Sequence, residues 1–447
     1  MKLRHGSHPY SGLTTRIDFT EVSDMDYLND FSSGLASGSA RNLERIGEVR
    51  YRASDWQLRG LVQDFQTVDK NLSPTSYPYS LLPKLSANYG HLIDSLNTDL
   101  GVMGEYVYFE HDTKVTGQRL RLAPSASLQL RRPWGHLTPR LTLNYASYQL
   151  DEVEPELERP SFMVPTLSLD SGLVFERESS WFGNAAMHTL EPRLFYLYAP
   201  FEDQSEIPDF DTADLDLSFA NLFKENRFSG GDRVGDANQL TLAVTTRWLE
   251  EGSGLERLRA SIGQILYFQD RRVQLTGDPQ EQASSALVAE LSSRLGAHWR
   301  SSLALRWDPQ REERQIDKGR IGLHYKAPGQ QLFNISYNYN AKSEIEDLDL
   351  SFHWRFDYRF AMLGDWKHSL LHERALNKVV GFEYAGRCCW SLRAVYQQYV
   401  NETDLDQDID QEYDSRFMLQ LELRGLGALG KDPQQTLKES IYGYQPE

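Results

Sequence analysis

Residues 332–340 have the sequence LFNISYNYN, in which every second side chain is large and apolar. From Phe333 onward the alternating apolar residues are Phe333, Ile335, Tyr337 and Tyr339. An extended chain places such alternating side chains on opposite faces. The stretch LSFHWRFDY at 350–358 repeats the pattern with Leu350, Phe352, Trp354, Phe356 and Tyr358. A period of two therefore predicts β-strands that have one apolar and one polar face.

The same alternation recurs from one end of the chain to the other. It is present at 141–145 and 321–325, and near the end in Phe417, Leu419, Leu421 and Leu423. Residues 281–295 also fit a helix, but the strand predicted at 302–308 needs a neighbour, so we interpret them as a strand. A membrane strand uses about ten residues plus part of a connection, so the chain supplies on the order of twenty antiparallel strands.

The character of the two faces distinguishes a membrane barrel from a soluble sandwich. Tyrosine and tryptophan recur near the ends of the apolar face, as in the aromatic belts of membrane proteins. The opposite face carries arginine, aspartate, histidine, asparagine and glutamine, which suit a hydrated interior. Aromatic residues make up 12% of the chain, whereas its mean hydropathy is -0.55. The sequence therefore predicts an all-β fold, a large transmembrane antiparallel β-barrel.

Composition and charge argue against several other classes. No run approaches the ~18 apolar residues of a membrane-spanning helix, and the opening MKLRHGSHPYSGL lacks the apolar core of a secretory signal. A net charge of -17 argues against a nucleic-acid partner. Carboxylates lie mainly in acidic loops, and His368 and His372 lack the glutamate of a zinc-protease motif. We therefore expect no enzyme activity, no cofactor and no metal site.

The stretch FSGGDRVGD at 228–236 contains three glycines without the strand and helix that flank a phosphate-binding loop. Gly230, Gly231 and Gly235 are expected to permit a tight loop or lumenal conformation. Asp232 and Arg233 are predicted to form an ion pair within it.

The connections between predicted strands come in two lengths. Short connections are expected at 132–135, 327–329 and 386–387. Long acidic ones are expected at 151–160, 202–216 and 401–414. This arrangement is typical of outer-membrane barrels, which have short periplasmic turns and long outer loops.

Cys388 and Cys389 are the only two cysteines, and they follow the predicted tight turn at 386–387. Neighbouring residues of a strand point to opposite faces, so the two sulfurs are poorly placed to bond each other. We expect each to have a partner elsewhere. The alternative is a pair of incidental thiols.

Several stretches resemble, in order along the chain, the LptD (OstA) family of outer-membrane lipopolysaccharide-assembly proteins. They are RIDFTEVSDMDYLNDF at 16–31, TLEPRLFYLYAPFEDQSEIPDFD at 189–211, FSGGDRVGDANQLTLAVTTRW at 228–248, SIGQILYF at 261–268, the pair Cys388-Cys389, and LELRGLG at 421–427. The resemblance extends over essentially the whole chain.

The resemblance implies a barrel of 26 strands, larger than the strand count expected here. We expect residues 1–426 to be a barrel domain that is incomplete at its N-terminal side, and 427–447 to be a C-terminal tail. We expect the signal peptide, the periplasmic jellyroll and the first strands of the family to be missing, as they would be in a fragment or in a chain with a misassigned start. By the same resemblance, Cys388 and Cys389 bond cysteines near the absent N-terminal domain.

The resemblance also implies a function. Family members insert lipopolysaccharide into the outer leaflet of the Gram-negative outer membrane, through a hydrated lumen and a lateral gate between first and last strands. The implied last strand, 416–424, carries Phe417, Leu419, Leu421 and Leu423. The implied partners are lipopolysaccharide, outer-membrane lipid, the plug lipoprotein LptE in the lumen, and the periplasmic bridge protein LptA on the absent jellyroll.

Four residues of the polar face are candidates for contact with the plug or the saccharide: Asn334, Asn338, Arg355 and Asp357. Simple wetting of the wall explains them equally well.

Three other interpretations stay open from the sequence. Another large outer-membrane barrel is one, either a porin-like channel or a nutrient transporter, which would need an N-terminal plug domain. An outer-membrane lipase or protease would need a serine cluster, and Ser292-Ser293 has no convincing partner. A secreted β-sandwich that binds carbohydrate is the third.

Overall fold

The computed structural model describes residues 2–22, 41–69, 72–151, 153–155, 158–311, 315–400, 413–423, 427–430 and 434–445. Its strands form one sheet of 24 strands. They are β1 (Lys2–Tyr10), β2 (Leu13–Thr20), β3 (Asn42–Arg52), β4 (Trp56–Thr67), β5 (Ser80–Ile93), β6 (Thr98–Glu110), β7 (Thr116–Leu128), β8 (Leu130–Arg132), β9 (Gly135–Asp151), β10 (Ser161–Leu173), β11 (Phe175–Trp181), β12 (Asn184–Ala199), β13 (Ala237–Glu250), β14 (Glu256–Tyr267), β15 (Leu287–Leu295), β16 (Trp299–Trp307), β17 (Ile316–Lys326), β18 (Leu332–Asn340), β19 (Ile345–Arg355), β20 (Phe360–Ser369), β21 (Arg374–Ala385), β22 (Trp390–Tyr399), β23 (Asp414–Leu423) and β24 (Gly427–Gly430).

Consecutive strands are antiparallel neighbours, apart from two that continue the strand before them. β8 continues the line of β7, since both pair with β9, and β11 continues β10, since both pair with β12. The 24 strands thus occupy about 22 successive positions, which agrees with the predicted twenty or so. The ambiguous region 281–295 contains β15, so its interpretation as a strand is confirmed. Among the described pairings, β1 pairs with β2 alone and β24 with β23 alone.

The two faces of the sheet differ as the alternation predicted. Ile321, Trp354 and Val380 are 54%, 38% and 47% exposed on the outer face. Asn334 and Ser351, which alternate with such residues, are 5% and 2% exposed on the inner face. The outer face is therefore an apolar surface suited to lipid, and the inner face around Asn334 and Ser351 is covered by the protein's own chain.

The connections confirm the predicted two lengths. Because consecutive strands are antiparallel, successive connections lie at alternating ends of the sheet. The predicted short turns at 132–135, 327–329 and 386–387 all lie at one end, here called the short-connection end. The opposite, long-connection end carries the connections from β9 to β10 and from β12 to β13. Residues 401–412 of the third predicted acidic loop lie outside the described residues.

Two segments lie against the inner face. The inner segment, residues 200–236, joins β12 to β13 and contains a 3₁₀ turn at Ala220–Phe223. Its apolar residues pack on β6, β9 and β12 in one cluster and on β13, β14 and β15 in another. One segment reaches strands so far apart in the sheet because the sheet is strongly curved, as a barrel wall is.

The second inner-face segment follows β24 and is the C-terminal segment, residues 434–445. It contains the helix α1 (Gln434–Ser440). Leu437, Ile441 and Tyr444 are buried against inward residues of β18 and of β20 through β23. Residues 427–447 were predicted as a tail. The described part of them adds a strand, a helix and an apolar contact with the wall.

The predicted last strand at 416–424 corresponds to β23, Asp414–Leu423. The structure adds the four-residue β24 on its free edge, paired from Leu423↔Gly427 to Gln420↔Gly430. β23 is therefore the last long strand but not the last strand. Alternation predicts which face of a strand a side chain occupies. It could not predict β24, because the four residues Gly-Ala-Leu-Gly are too short to alternate.

No helix in the described part of the chain is both long and apolar enough to cross a bilayer.

Candidate functional site

The inner segment is held to the wall by one fully buried arginine. Arg119 on β7 has no exposed side-chain surface, and its guanidinium faces three carboxylates. Its Nη1 donates to Asp211 Oδ1 at 2.7 Å and to Asp232 Oδ1 at 2.5 Å. Its Nη2 donates to Asp211 Oδ2 at 2.7 Å and to Glu105 Oε1 at 2.9 Å. This geometry offsets the cost of burying the charge, because most of the hydrogen-bonding capacity is used.

Asp232 is the second centre of this network. Its Oδ2 accepts hydrogen bonds from the backbone N–H groups of Phe210 and Asp211 and from the hydroxyl of Thr212, at 2.9–3.1 Å. Its Oδ1 accepts one from the Tyr148 hydroxyl on β9 at 3.1 Å, besides that from Arg119. The carboxylate therefore fixes two stretches of the inner segment to each other and to two strands.

The predicted ion pair of Asp232 with Arg233 is wrong. The Arg233 guanidinium donates instead to the carbonyl oxygens of Ile207, Pro208 and Asp232 at 2.6, 3.3 and 3.0 Å. The two adjacent side chains point in different directions, so the aspartate reaches the wall and the arginine reaches the chain beside it.

The glycines of this stretch have the role expected of them. Gly230 has a φ of +70°, and a Cβ there would lie 2.2 Å from the carbonyl oxygen of Asp211. A Cβ on Gly231 would lie 2.6 Å from Cζ of Arg119. The close approach of the segment to the arginine therefore requires glycine.

Asp211 lies outside the strands, and its ionisation follows from these contacts. Burial would raise the pKa of its carboxyl, but the hydrogen bonds and charge of Arg119 outweigh burial and lower the pKa to about 2. The carboxylate is therefore charged at neutral pH.

The far end of the inner segment is anchored to other strands. Asp216 accepts from Arg306 on β16 at 2.7 Å and from Lys318 on β17 at 2.5 Å. Asp236 accepts from Arg227 at 3.2 Å, and from the backbone N–H groups of Arg272 and Val273 at 2.8 and 3.0 Å. The inner segment is thus tied to β7 and β9 through Asp232 and to β16 and β17 through Asp216.

Sequence analysis did not find Arg119, Asp211 or Tyr148 as functional residues. Arg119 lies 92 and 113 residues from its two aspartate partners, so no local spacing connects them. The available signal was an arginine at an inward position of a strand, where a charge needs a partner.

The four predicted lumen residues have different environments. Asn334 is an inward wall residue: its Nδ2 donates to Ser351 Oγ at 3.2 Å and to the carbonyl oxygen of Tyr442 at 3.1 Å. Asn338 accepts from Arg320 Nε at 2.7 Å. Arg355 ends β19 and lines a small cavity with Glu383 and Tyr444. Asn334 therefore contacts the C-terminal segment of this chain.

Asp357 is not part of the wall, contrary to the predicted alternation through 358. It lies in the turn between β19 and β20, where its carboxylate accepts from the backbone N–H groups of Arg359 and Phe360 at 2.6 and 2.8 Å. The N–H of Arg359, followed by that of Phe360, lowers the pKa of this carboxyl. Asp357 thus stabilises a turn at the short-connection end.

The C-terminal segment completes a polar cluster on β19, β21 and β22. The Tyr444 hydroxyl donates to Glu383 Oε1 at 2.6 Å, and Arg393 Nε donates to the same oxygen at 2.9 Å. His353 Nε2 lies 3.2 Å from Glu383 Oε2. Burial, then the charge of Glu383, raises the pKa of Tyr444, which keeps its hydroxyl protonated as a donor.

The cysteines lie in a turn. β21 ends at Ala385 and β22 begins at Trp390, so Cys388 and Cys389 belong to the four-residue connection at the short-connection end. The structure joins their sulfurs to each other at 2.01 Å. The expectation that they would not bond each other assumed opposite faces of a strand, and turn residues are free of that constraint.

The residues named for the gate strand lie on the outer face of β23. Phe417, Leu419 and Leu421 are 64%, 50% and 37% exposed, whereas Met418 between them is fully buried on the inner face. The structure thus places an apolar stripe toward lipid at the last long strand.

Known proteins resemble this chain along most of its length. The family model described as "LptD: LPS transport system D" matches residues 3–360. The LPS-assembly protein LptD of Nitrosococcus oceani is 38% identical over 446 residues, which are 99% of this chain and 59% of that protein. That of Hahella chejuensis is 37% identical over 426 residues, 93% of this chain and 52% of that protein. The chain thus spans a little over half the length of these relatives.

A solved structure, the siderophore receptor PirA of Acinetobacter baumannii, covers 85% of this chain and 71% of its own. Its TM-score is 0.38 at 8% sequence identity, a likeness too distant to support an argument.

Proposed function

Since this chain belongs to the LptD family, we propose that it forms the wall of a translocon that inserts lipopolysaccharide into the outer leaflet of the outer membrane. The chain is an outer-membrane β-barrel protein of a Gram-negative bacterium. The single observation that supports the translocon is the division of its wall into an apolar outer face and a polar inner face.

The substrate class explains why such a wall suits the task. Lipopolysaccharide joins acyl chains to a hydrophilic saccharide, and no single solvent suits both parts. A lumen lined with charged and amide groups solvates the saccharide, whereas acyl chains must reach the bilayer sideways. We propose that they do so beside β23, whose outer face carries Phe417, Leu419, Leu421 and Leu423.

The partners follow from the same proposal. We propose that the lipoprotein LptE occupies the lumen and that the bridge protein LptA delivers lipopolysaccharide to a periplasmic domain outside this chain. Cys388 and Cys389, at the short-connection end, are proposed to exchange their mutual disulfide with a disulfide between two cysteines of that domain. Two disulfides then become two others, through an attacking thiolate that is released again at the last step. Non-reducing peptide mass spectrometry of the cell's own protein would identify either pairing. A Cys388–Cys389 peptide as the sole product would exclude the exchange.

Photo-crosslinking in living cells tests the translocon. A benzophenone side chain at the inward position of Ser336 is expected to form lipopolysaccharide adducts while lipopolysaccharide is being synthesised, and to stop when synthesis is inhibited. The matched outward position, Leu350, faces mature membrane and should form adducts independently of synthesis. If position 336 gives no adduct during synthesis, the lumen is not the route.

A further inference from the structure

Arginines face each other directly across two strand pairs at the short-connection end. Arg294 on β15 is in register with Arg300 on β16, and Arg247 on β13 is in register with Arg259 on β14. Like charges placed directly opposite destabilise a strand pair. A charge of opposite sign beside such a pair offsets this cost.

These arginines point into the lumen. Arg294 and Arg300 alternate with Leu295 and Trp299, which are register partners and are 42% and 37% exposed on the lipid face. Alternation puts the arginines on the opposite face. Arg306, two inward positions beyond Ser302 on the same strand, contacts the inner segment, which confirms the direction of this face.

Three of these arginines have no partner in the part of the chain that the structure describes. Arg247 pairs with Glu191 and Glu256 at 3.1 and 3.3 Å. Arg259, Arg294 and Arg300, in contrast, form no hydrogen bond or ion pair among the described residues. Glu290 also points inward from β15. It is in register with Ser261, so it lies diagonally from Arg259 and is not bonded to it.

The same wall is neutralised at its other end. Arg306 and Lys318 are register partners near the long-connection end, where Asp216 of the inner segment bonds both. The described chain supplies no such carboxylate to Arg294 and Arg300, which flank the short connection at 296–298. Among the described residues, the positive charge of Arg294 and Arg300 is thus left without a carboxylate partner at the short-connection end.

We propose that Arg259, Arg294 and Arg300 form a binding site for the phosphate or carboxylate groups of a saccharide headgroup. The proposal rests on the proposed function, because it names the part of lipopolysaccharide that this wall receives first. Guanidinium groups suit the task, since their planar donors bind phosphate and carboxylate in pairs. The site lies where a saccharide would enter from the short-connection end.

Binding measured on the full chain folded in detergent micelles tests the site. The probes are a bis-phosphorylated glucosamine disaccharide, its unphosphorylated form, inorganic phosphate and intact lipopolysaccharide. We expect the parent to prefer the phosphorylated disaccharide, with affinity falling as salt rises. The double variant R294Q/R300Q should weaken that binding by roughly tenfold or more, as loss of charge-assisted hydrogen bonds implies. R294K/R300K keeps the charge and should restore part of the affinity.

The control variant is R177Q, because Arg177 lies on the outer face beside His188 and should leave binding unchanged. Heat-modifiable gel migration monitors folding of every variant, and the salt dependence of the parent tests the site without substitution. Equal binding by the parent and R294Q/R300Q, with intact lipopolysaccharide still bound, overturns the site and leaves the proposed function standing. Failure of the parent to bind lipopolysaccharide overturns both.

Two further outcomes also overturn the site as stated. Inorganic phosphate binding as tightly as the disaccharide would assign these arginines to a free ion. An oligoglutamate peptide displacing the disaccharide at lower concentration would assign them to an acidic protein segment.

Discussion

Arg119 of β7 and Asp232 of the inner segment lie 113 residues apart in sequence, yet their side chains meet at 2.5 Å with no exposed surface. The pair joins the wall to the inner segment. The anchorage of the inner segment therefore depends on contacts that are distant in sequence.

Removing the buried guanidinium should release the inner segment. We expect R119M to destabilise the fold by about 3–5 kcal/mol, because Asp211 and Asp232 would stay buried without their cation. Limited proteolysis within 200–236 and the temperature at which the folded gel band is lost measure the effect. R121M is the matched control, since Arg121 occupies the next inward position and is 18% exposed. Equal effects of the two substitutions would contradict the role of Arg119.

The conformation of Gly230 gives a second test. G230A should lower the thermal midpoint by several degrees, because the new Cβ would meet a backbone oxygen at 2.2 Å. G252A is the control: Gly252 also has a positive φ, +84°, but nothing lies within 4 Å of its added Cβ. The G252A variant therefore measures the cost of backbone strain alone, which is of order 1 kcal/mol. If the two variants melt together, close packing against Asp211 is not what requires Gly230.

Acid should loosen the inner segment through Asp211. Its folded-state pKa is lowered to about 2, below the ordinary value of 3.8. The carboxylate thus contributes stability that is complete above the ordinary value and is lost as pH falls from there toward 2. Protease sensitivity of residues 200–236, measured from pH 5 downward, should rise in that window. In D211N this rise should shrink, and an unchanged profile would assign the transition to other groups.

The C-terminal segment should contribute to stability through Leu437. This side chain is fully buried against the inner wall, so L437A is expected to cost about 2–5 kcal/mol locally. Release of the segment is measured by carboxypeptidase digestion of the folded protein. Y442A is the control, because Tyr442 is 65% exposed. Digestion of L437A at the parent's rate would show that the apolar contact does not hold the segment.

The two faces can be mapped by spin labels. Labels at 335 and 354 should be relaxed by oxygen dissolved in acyl chains, and labels at 336 and 355 by a water-soluble nickel complex. The experiment needs the protein reconstituted in lipid, with the native cysteines replaced. Reversed accessibilities would remove the basis for a hydrated conduit.

Strand number, strand faces and the two classes of connection could be predicted because they depend on local alternation. Phe333, Ile335 and Trp354 have the orientation that their spacing implies. The prediction was wrong where a strand ended early. The apolar alternation runs through Tyr358, but the strand ends at Arg355, and Asp357 forms a turn by accepting backbone hydrogen bonds. Periodicity does not mark that boundary.

The candidate site could be predicted only in outline. The glycines at 230, 231 and 235 indicated a tight loop, and the loop is tight. The partner of Asp232 could not be inferred, because Arg119 reaches it through the curvature of the whole sheet. The C-terminal segment was missed for a related reason, since Leu437 and Ile441 are single apolar residues whose burial depends on β20, β22 and β23.

The placement of residues 434–445 inside the wall has a consequence for biogenesis. The segment follows β18 to β23 in the chain, yet it lies inside the wall that those strands form, so it must take its place before the wall closes around it. Gln445 lines a cavity with Ala385 at the short-connection end, so a bulky reporter inserted after Gln445 would lie on the inner side of the wall. Such an insertion should therefore slow barrel assembly, whereas the same reporter placed in a long connection should not.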